Sequence, residues 1–332
     1  MSAPLPAVVV ITGAGAGLGR ATAREFARHG AAVGLIGRSL ERLRDAADEV
    51  RALGGSAAVF PCDVADAEAV ARAAQAIEAR LGPIDVWVNN AMATIFSPVR
   101  AISSEDFKRA TEVTYLGTVY GTMAALGAML PRNRGTIVQV GSALAYRAIP
   151  LQAPYCGAKF AIRGFTDALR AELRHERSRV HLTMVQMPAL NTPQFDWARN
   201  HMPRRPQPVP PIFAPETGAR AVVWAATDRR REVYVGMPAL QAIWANKVVP
   251  GLLDRFLGRF GYRSQLSAVP TDPMQPDNLW QPVEGRYAAH GRFDDRERSG
   301  RVQVWLTLHR VELLAGAAAA CALYWLRRRM SA

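Results

Sequence analysis

Cysteine is scarce in this sequence, and the three cysteines present are widely separated. Cys62, Cys156 and Cys321 form no C-x-x-C pair, so the sequence indicates neither a disulfide framework nor a cysteine-based metal site. An odd cysteine count without a secretion-signal pattern is typical of reduced thiols in the cytoplasm. The six histidines show no ligand spacing such as H-x-x-x-H, and we therefore expect no metal ion.

Acidic residues are also few compared with basic ones. The 332 residues contain 41 Lys and Arg against 28 Asp and Glu, which gives a net charge of +13. Such an excess favours anionic partners: phosphorylated cofactors, nucleic acids or membrane surfaces. The arginines are scattered through helical stretches, and no aromatic-interleaved basic block occurs apart from the run at 327–329. We therefore expect no nucleic-acid partner.

Short apolar runs alternate with longer helical patterns in the first 190 residues. The apolar runs predict strands at 7–12, 31–36, 57–62, 84–89, 135–140 and 180–186. The helical patterns between them cover 18–29, 40–53, 67–81, 104–130 and 154–177. Such alternation predicts right-handed βαβ units and a parallel sheet covered on both faces. We therefore predict an α/β fold, a doubly wound Rossmann-type parallel sheet that forms a single catalytic domain over residues 7–240.

A proline-rich segment follows the sixth predicted strand. Residues 201–215 cannot form a helix or a central strand because proline lacks an amide donor. A helical pattern at 216–226 and a strand-like run at 232–236 come after it, so the segment is an insertion within the domain. We interpret it as a lid over a binding crevice; the alternative is a solvated linker.

The rest of the chain divides into two parts. From about Gly261 the sequence is polar and interrupted by proline and glycine, and we expect an irregular, partly disordered extension over residues 241–300. Residues 301–332 are predicted to form an apolar helix with a basic end, in which the uncharged run 313–326 precedes three arginines. At about 1.5 Å per residue this run spans roughly 21 Å, less than the roughly 30 Å of a bilayer core. It predicts either a helix packed on the domain or on a partner subunit, or a tail that contacts a membrane surface.

A glycine-rich turn follows the first predicted strand. The stretch "TGAGAGLGR" opens directly into a helix, where glycines let the backbone approach a pyrophosphate and the helix N-terminus offers free N–H donors. The lysine of nucleoside-triphosphate loops is absent, which disfavours an ATPase or GTPase. The residues expected to bind a dinucleotide here are Thr12, Gly13, Gly17, Leu18 and Gly19.

The end of the second predicted strand lacks a carboxylate. An acidic residue there would accept hydrogen bonds from the adenosine ribose and would indicate NAD. Gly37 and Arg38 occupy the position instead, and a guanidinium pairs well with a 2′-phosphate. We therefore predict NADP, with NAD as the less favoured cofactor; the alternative for Arg38 is a solvated residue at a helix start.

Tyr155 and Lys159 lie four residues apart in a predicted helix and share one of its faces. A cation fixed beside a phenol lowers the phenol pKa. The pair alone does not separate this arrangement from an aromatic residue with a solvated lysine over it, because Y-x-x-x-K recurs by chance. The other motifs of the chain are needed to decide between these two interpretations.

Together these motifs resemble the short-chain dehydrogenase/reductase family over residues 7–240. The resemblance rests on motifs in the family's order: "TGAGAGLG" (12–19), "CDV" (62–64), "NNA" (89–91), Ser142, "YCGAK" (155–159) and "PALNTP" (188–193). It implies a homodimer or homotetramer that binds a small carbonyl or alcohol substrate, with hydride transfer carried out by the cofactor.

The resemblance also implies roles for individual residues. Tyr155 would be the acid/base, Lys159 would lower its pKa and hold the nicotinamide ribose, and Ser142 would orient the reacting oxygen. It also implies further cofactor contacts. Asp63, with Val64, would contact the adenine edge, and Asn90 would line the adenosine side. The segment from Pro188 to Thr192 would contact the carboxamide.

Three positions depart from the family pattern. Thr114 stands where the family has a catalytic asparagine. A threonine hydroxyl can still hold a water in a proton relay, but its geometry and its number of hydrogen-bond donors differ from those of an asparagine amide. Met92 replaces the glycine of the usual N-N-A-G turn, and Ala189 replaces the glycine after Pro188. Tyr155 and Lys159 are retained, so we expect an NADP-dependent oxidoreductase that interconverts an alcohol and a ketone or aldehyde. The alternative is a weakly active or non-catalytic NADP-binding scaffold protein.

The residues near the catalytic motifs indicate the type of substrate. We expect the substrate side of the site to be apolar and aromatic, which favours a lipophilic substrate, whereas ordinary core packing is the alternative. The side chains concerned are Leu144, Tyr146, Ile149, Leu190, Phe195 and Trp197.

Overall fold

The computed structural model describes residues 7–309 and, beyond them, Glu312, Leu313, Gly316, Cys321 and Tyr324, with the side chains of residues 238, 301 and 303 excepted. The predicted C-terminal apolar run 313–326 falls almost entirely outside the described residues. Its two alternatives therefore stay predictions.

Seven parallel strands form one central sheet. In chain order they are β1 (Val8–Thr12), β2 (Ala32–Gly37), β3 (Ser56–Pro61), β4 (Val86–Asn89), β6 (Thr136–Ser142), β7 (His181–Met187) and β11 (Glu232–Tyr234). Their order across the sheet is β11-β7-β6-β4-β1-β2-β3, and each pairing is parallel. The chain reverses its direction of travel between β1 and β4, where ligands bind in open sheets of this kind.

Helices cover both faces of the sheet. In chain order they are α1 (Gly17–Ala27), α2 (Leu40–Ala52), α3 (Ala67–Leu81), α4 (Ser104–Thr111), α5 (Gly117–Met129), α6 (Ala153–His175), α7 (Gln194–Trp197), α8 (Pro215–Thr227), α9 (Met237–Val248), α10 (Pro250–Ser264) and α11 (Arg301–Leu308). Side chains of β1 alternate between two cores: Val9 and Ile11 pack with α1, α2 and α8, whereas Val8 and Val10 pack with α3, α5 and α6. The predicted doubly wound Rossmann-type single domain is confirmed.

The helical stretch Ser104–Arg132 joins α4 and α5 through a π-helical turn, Glu112–Leu116. Among the described residues it is the one stretch long and apolar enough to cross a membrane. Its α5 segment contacts α3 and β4 within the domain, and the same properties are typical of a core helix.

The prediction of irregular structure over residues 241–300 is wrong for its first part. Helices α9 and α10 occupy 237–264. Their prolines, Pro238 and Pro250, lie in the first turns, where proline favours a helix because the missing N–H would have no intrahelical partner.

The second part of this region, residues 271–300, is hereafter called the strap. It follows β12 (Leu266–Pro270), contains the two-residue β13 (Glu297–Arg298) and the short turn Asp294–Arg296, and is otherwise irregular, as predicted. Leu279, Ala289 and Phe293 are nevertheless buried, so the strap is packed on the domain. The remaining short strands are β5 (Ile95–Phe96), β8 (Arg199–Asn200), β9 (Arg204–Pro206) and β10 (Ile212–Phe213).

Candidate active site

A cavity of about 420 Å³ opens at the carboxyl ends of the central strands. Its wall includes the residues that follow β1, β2, β4, β6 and β7. Parallel strands present their carboxyl ends at the same edge of the sheet, so motifs distant in the sequence meet here. The motifs after β2 and β3 lie on one side of the phosphate turn, and those after β4, β6 and β7 lie on the other.

The turn between β1 and α1 can be built only with glycine at its crowded points. Gly13 has φ of 67°, and a Cβ on Gly19 would lie 2.2 Å from the carbonyl oxygen of Gly13. Thr12 and Asn90 support the turn from behind: Thr12 Oγ1 accepts from the Asn90 amide at 2.9 Å, and Asn90 Nδ2 donates to the Thr12 carbonyl at 2.9 Å. The turn therefore presents a rigid concave backbone to the cavity.

The predicted catalytic group comes together beside this turn. Ser142 ends β6, and Tyr155 lies in the first turn of α6, with Lys159 one turn later. All three line the cavity. The Lys159 Nζ atom donates to the Val140 carbonyl at 2.6 Å and lies 5.5 Å from the centre of the Tyr155 ring.

Burial dominates the titration of this group. It raises the pKa of Tyr155 to about 12, while hydrogen bonding with Ser142 acts in the opposite direction. Burial also lowers the pKa of Lys159 to about 8. The sequence predicts that Lys159 lowers the Tyr155 pKa. In this arrangement it does not, because the Lys159 ammonium is directed to the Val140 carbonyl.

Thr114 is not brought into the cavity. It lies fully buried in the π-helical turn, and its hydroxyl both accepts from the Ala93 amide and donates to the Ala93 carbonyl at 3.0 Å. Its direct neighbour Val113 and the nearby Met92 do line the cavity. A relay role for Thr114 stays a prediction, and in this arrangement the side chain supports the backbone that follows β4.

The adenosine end of the cavity is rich in arginine. The Arg38 guanidinium donates to the carbonyls of Asn278, Leu279 and Trp280, the last at 3.0 Å. Arg109 pairs with Asp63 and also donates to the Leu279 carbonyl at 3.1 Å. Backbone oxygens of the strap therefore lie at the position where the sequence predicts the 2′-phosphate.

Arg42 is a site residue that sequence reasoning missed. Its side chain lines the cavity and is 7% exposed, yet its Nη1 atom has no hydrogen-bond partner among the described residues. The guanidinium lies 4.9 Å from the Trp197 ring centre and 5.7 Å from that of Tyr287. A buried cation with an unused donor fits an anionic group such as the phosphate of a dinucleotide.

The strap also contacts the other parts of the crevice. Gly17 donates its amide to the Ala288 carbonyl at 3.0 Å. Further along, Asn191, which is fully buried in the "PALNTP" segment, donates to Asp294 at 2.7 Å and to Glu297 at 2.8 Å. The strap therefore touches the phosphate turn, the adenosine end and the segment predicted to hold the carboxamide.

His290 anchors the middle of the strap. Its Nε2 atom lies 3.0 Å from Glu216, and its Nδ1 atom lies 3.1 Å from Glu297 and 3.4 Å from Asp294. Burial lowers the pKa of His290, but the hydrogen bond to Glu216 and the nearby carboxylates outweigh this effect and raise it. Asn191 donates to both Asp294 and Glu297, so we interpret the cluster as a hydrogen-bonded anchor.

Most of the predicted cofactor residues line the cavity: Gly13, Gly17, Leu18, Arg38, Asp63, Val64, Asn90, Tyr155, Lys159, Pro188 and Thr192. Thr12 and Gly19 lie just behind its surface. Cys62 also lines the cavity, and burial raises the pKa of its thiol to about 11. Residues that sequence reasoning missed, besides Arg42, are Ser39, Gln152, Asn278 and Pro282.

The substrate side is apolar, with one correction. Its predicted residues Leu144, Ile149, Leu190, Phe195 and Trp197 line the cavity. Tyr146 does not: its hydroxyl bonds Glu232 and its ring packs with Tyr234, because the short turn after β6 directs it toward β11. Residues 207–211 of the predicted lid line the cavity as well.

Comparisons with known proteins agree with this geometry. An oxidoreductase of Bacillus subtilis (strain 168), YxnA, is 34% identical over 275 residues, covering 82% of this chain and 77% of that protein. A fatty acyl-CoA reductase of Acinetobacter baylyi is 29% identical over 239 residues, covering 71% and 78%. Among solved structures, an alcohol dehydrogenase from the archaeon Thermococcus sibiricus, complexed with 5-hydroxy-NADP, matches with a TM-score of 0.60 at 28% identity, covering 68% of this chain and 94% of that one.

The family model for short chain dehydrogenases matches residues 7–202. This segment contains the phosphate turn, Ser142, Tyr155 and Lys159. The match spans more than half of the chain, and this protein belongs to the short-chain dehydrogenase/reductase family.

Proposed function

We propose that this protein is an NADP-dependent oxidoreductase that interconverts an alcohol and a ketone or aldehyde, with Tyr155 as the acid/base. The observation that carries the proposal is the placing of Ser142, Tyr155 and Lys159 in the same cavity as the phosphate turn and two arginines. A non-catalytic NADP-binding protein would not need a phenol and a hydroxyl facing the space beyond the cofactor.

The side chains divide the proton chemistry among them. In reduction, Tyr155 donates its proton to the carbonyl oxygen of the substrate, and Ser142 donates a hydrogen bond that orients the same oxygen. Bound NADPH supplies the hydride. Lys159 would hold the nicotinamide ribose, and it could stabilise the phenolate that remains once its ammonium turns from the Val140 carbonyl toward Tyr155. With its pKa raised by burial, the Tyr155 phenol is protonated at neutral pH and has a proton to donate.

Arg38 and Arg42 support NADP as the cofactor. Arg38 donates to neutral backbone carbonyls of the strap. A 2′-phosphate would replace these acceptors with charged oxygens, and hydrogen bonds to charged oxygens are stronger than those to neutral carbonyls. Arg42 would use the Nη1 donor that otherwise has no partner among the described residues. A carboxylate that would accept from an unphosphorylated ribose is missing at Gly37.

We further propose that the substrate is lipophilic. The cavity wall beyond Ser142 is formed by Leu144, Ile149, Leu190 and Phe195, and a relative is a fatty acyl-CoA reductase. Apolar side chains at this end would take up an acyl, terpenoid or steroid-like body. A cytoplasmic homodimer or homotetramer remains our prediction for the assembly.

Two measurements test the function. Tryptophan fluorescence titration should give tighter binding of NADPH than of NADH by about 1–3 kcal/mol, and Arg38→Asp should remove this preference. NADPH consumption should then be measured with long-chain aldehydes, bulky ketones and short polar ketones. NADPH binding without turnover on any of them would favour the non-catalytic alternative, and equal affinities would contradict the cofactor assignment.

A further inference from the structure

Helices α9 and α10 present a row of large apolar side chains to solvent. Trp244 is 63% exposed, Val248 73%, Leu252 63%, Phe256 55% and Phe260 48%. Single exposed apolar residues are ordinary, but a run of them on consecutive helical turns is uncommon in a soluble monomer and marks an interaction surface. We call these five residues, with the basic residues among them, the α9–α10 face.

Basic residues are interleaved with this row. Leu252, Phe256 and Phe260 follow each other at four-residue intervals. Arg255, Arg259 and Arg263 do the same, with Arg255 and Arg259 directly before the two phenylalanines and Arg263 three positions after the second. Two neighbouring rows with this spacing lie side by side along a helix.

The cations of the face also contact its aromatic rings. Lys247 Nζ lies 5.2 Å from the Trp244 ring centre, and the Arg259 guanidinium lies 5.7 Å from that of Phe260. Asp254 is the one acidic residue between 237 and 264. It is paired with Arg147 at 2.6 Å, so the outward charge of the α9–α10 face is positive.

Helix α9 packs on the domain, and α10 is attached to it by the Arg147–Asp254 pair and near its C-terminal end, where Gly261 is buried. Ile243 packs with Ala145 and Tyr146, and Gln265, directly after α10, donates to the Pro150 carbonyl at 2.8 Å. The helices are therefore held in place with their apolar row outward. The exposure is a property of the packed fold and does not come from a detached segment.

We propose that the α9–α10 face docks on the surface of an anionic lipid bilayer. Aromatic and aliphatic side chains mixed with arginines match the boundary between acyl chains and anionic head groups. A second copy of this chain would bring the row of arginines against its own symmetry mate without acidic partners, which disfavours a twofold interface. The protein's net charge of +13 adds long-range attraction to the same surface.

The position of the face connects it to the cavity. Ala239 of α9 lines the cavity, and Gln265 bonds the cavity residue Gln152 at 2.8 Å. Docking would therefore bring the substrate side close to the lipid. Delivery of a lipophilic substrate from the bilayer rests on the proposed function, whereas docking itself does not.

The test is co-sedimentation of the full chain with vesicles of phosphatidylcholine, with and without phosphatidylglycerol, in the absence of substrate. Binding is expected only with phosphatidylglycerol and should weaken as salt is added. The double variant Leu252→Glu/Phe256→Glu should lower the partition coefficient about 100-fold, and Arg259→Gln about fivefold. Met274→Glu, which changes a strap side chain that is 87% exposed, is the matched control and should bind like the wild type.

A second measurement separates the α9–α10 face from the C-terminal apolar run. Brominated acyl chains quench tryptophans that enter the bilayer, so Trp244→Phe should reduce the quenching and Trp325→Phe should change it less. NADPH binding of each variant reports that the fold is retained. The proposal would be overturned if the double variant bound vesicles as well as the wild type does. It would also be overturned if neither protein bound vesicles and the wild type formed a dimer that the double variant did not form.

Discussion

The phosphate turn and the strap contact the same crevice, but they are held in opposite ways. The turn fixes itself locally: Gly13 and Gly19 pass so close that a Cβ on Gly19 would lie 2.2 Å from the Gly13 carbonyl oxygen. The strap has little regular structure and is held by residues distant in sequence, both through its own backbone carbonyls at positions such as Ala288 and through side chains such as His290. The turn therefore depends on the absence of a side chain at its glycines, whereas the strap depends on many separate contacts, several of them made by backbone carbonyls that any residue supplies. The variants that follow test how far this difference extends.

The largest effect is expected on turnover, from the loss of the Tyr155 hydroxyl. Tyr155→Phe should lower kcat by about 100- to 10,000-fold because it removes the proton donor, with the NADPH dissociation constant unchanged. Tyr146→Phe is the matched control: Tyr146 bonds Glu232 outside the cavity, and its loss should leave kcat within about twofold of the wild type. Normal turnover in Tyr155→Phe would remove the proposed mechanism.

The next effect tests the turn. Gly19→Ala places a methyl group against backbone that cannot move aside, and the cost is expected at about 3 kcal/mol in unfolding free energy or in NADPH binding. Gly164→Ala on α6 meets nothing within 4 Å and should be neutral or slightly stabilising because alanine favours helix. Thermal melts with and without NADPH measure both. Equal melting temperatures and equal NADPH affinities in the two variants would show that the turn yields to an added methyl group and is not rigid.

The corresponding change in the strap is expected to be smaller. A Cβ on Gly291 would lie 2.6 Å from the Thr192 carbonyl oxygen, but the irregular strap can shift more easily than a turn within the sheet. Gly291→Ala should cost about 1–2 kcal/mol of unfolding free energy and should speed amide exchange in the strap selectively. Gly127→Ala, which meets nothing within 4 Å, is the control. If Gly291→Ala cost as much as Gly19→Ala, the two regions would be equally rigid.

The smallest effect depends on pH. The folded pKa of His290 is raised, so its contribution to stability is fully present below the unfolded value of about 6.5 and is lost as pH rises through the folded value. His290→Gln should destabilise the protein by about 1 kcal/mol near pH 5.5 and by little near pH 9, the side chain being 33% exposed and partly screened. Melting temperatures at both pH values measure the difference. A loss that is the same at both would assign His290 a packing role only.

The sequence predicts those parts of this protein in which side chains dictate the backbone or the chemistry. The strands of the central sheet were predicted from apolar runs, since each run must be buried on both faces of a parallel sheet. The grouping of Ser142, Tyr155 and Lys159 follows from their spacing once β6 and α6 are placed. Fold class and family are confirmed, while the roles of these residues stay predictions.

Other features lay beyond the sequence for physical reasons. Arg42 is one of many arginines near helix starts, and only the fold buries it without a full set of partners. The strap is held partly by backbone acceptors, which leave no side-chain pattern, and partly by the cluster around His290, whose partners Asn191 and Glu216 are distant in the sequence. Tyr146 was assigned to the cavity because its chain neighbours are there, but the direction of its side chain depends on a single short turn.

The bond between Gly17 and the Ala288 carbonyl has a consequence for how the protein matures. Its partners are separated by about 270 residues, so a ribosome working at roughly 5–20 residues per second needs roughly 15–55 s after making the turn to make the strap. During that interval the growing chain holds an unfinished cofactor crevice. Native closure of the crevice is therefore a late event of biosynthesis, and the slow search for such a distant contact comes near the end of the folding pathway.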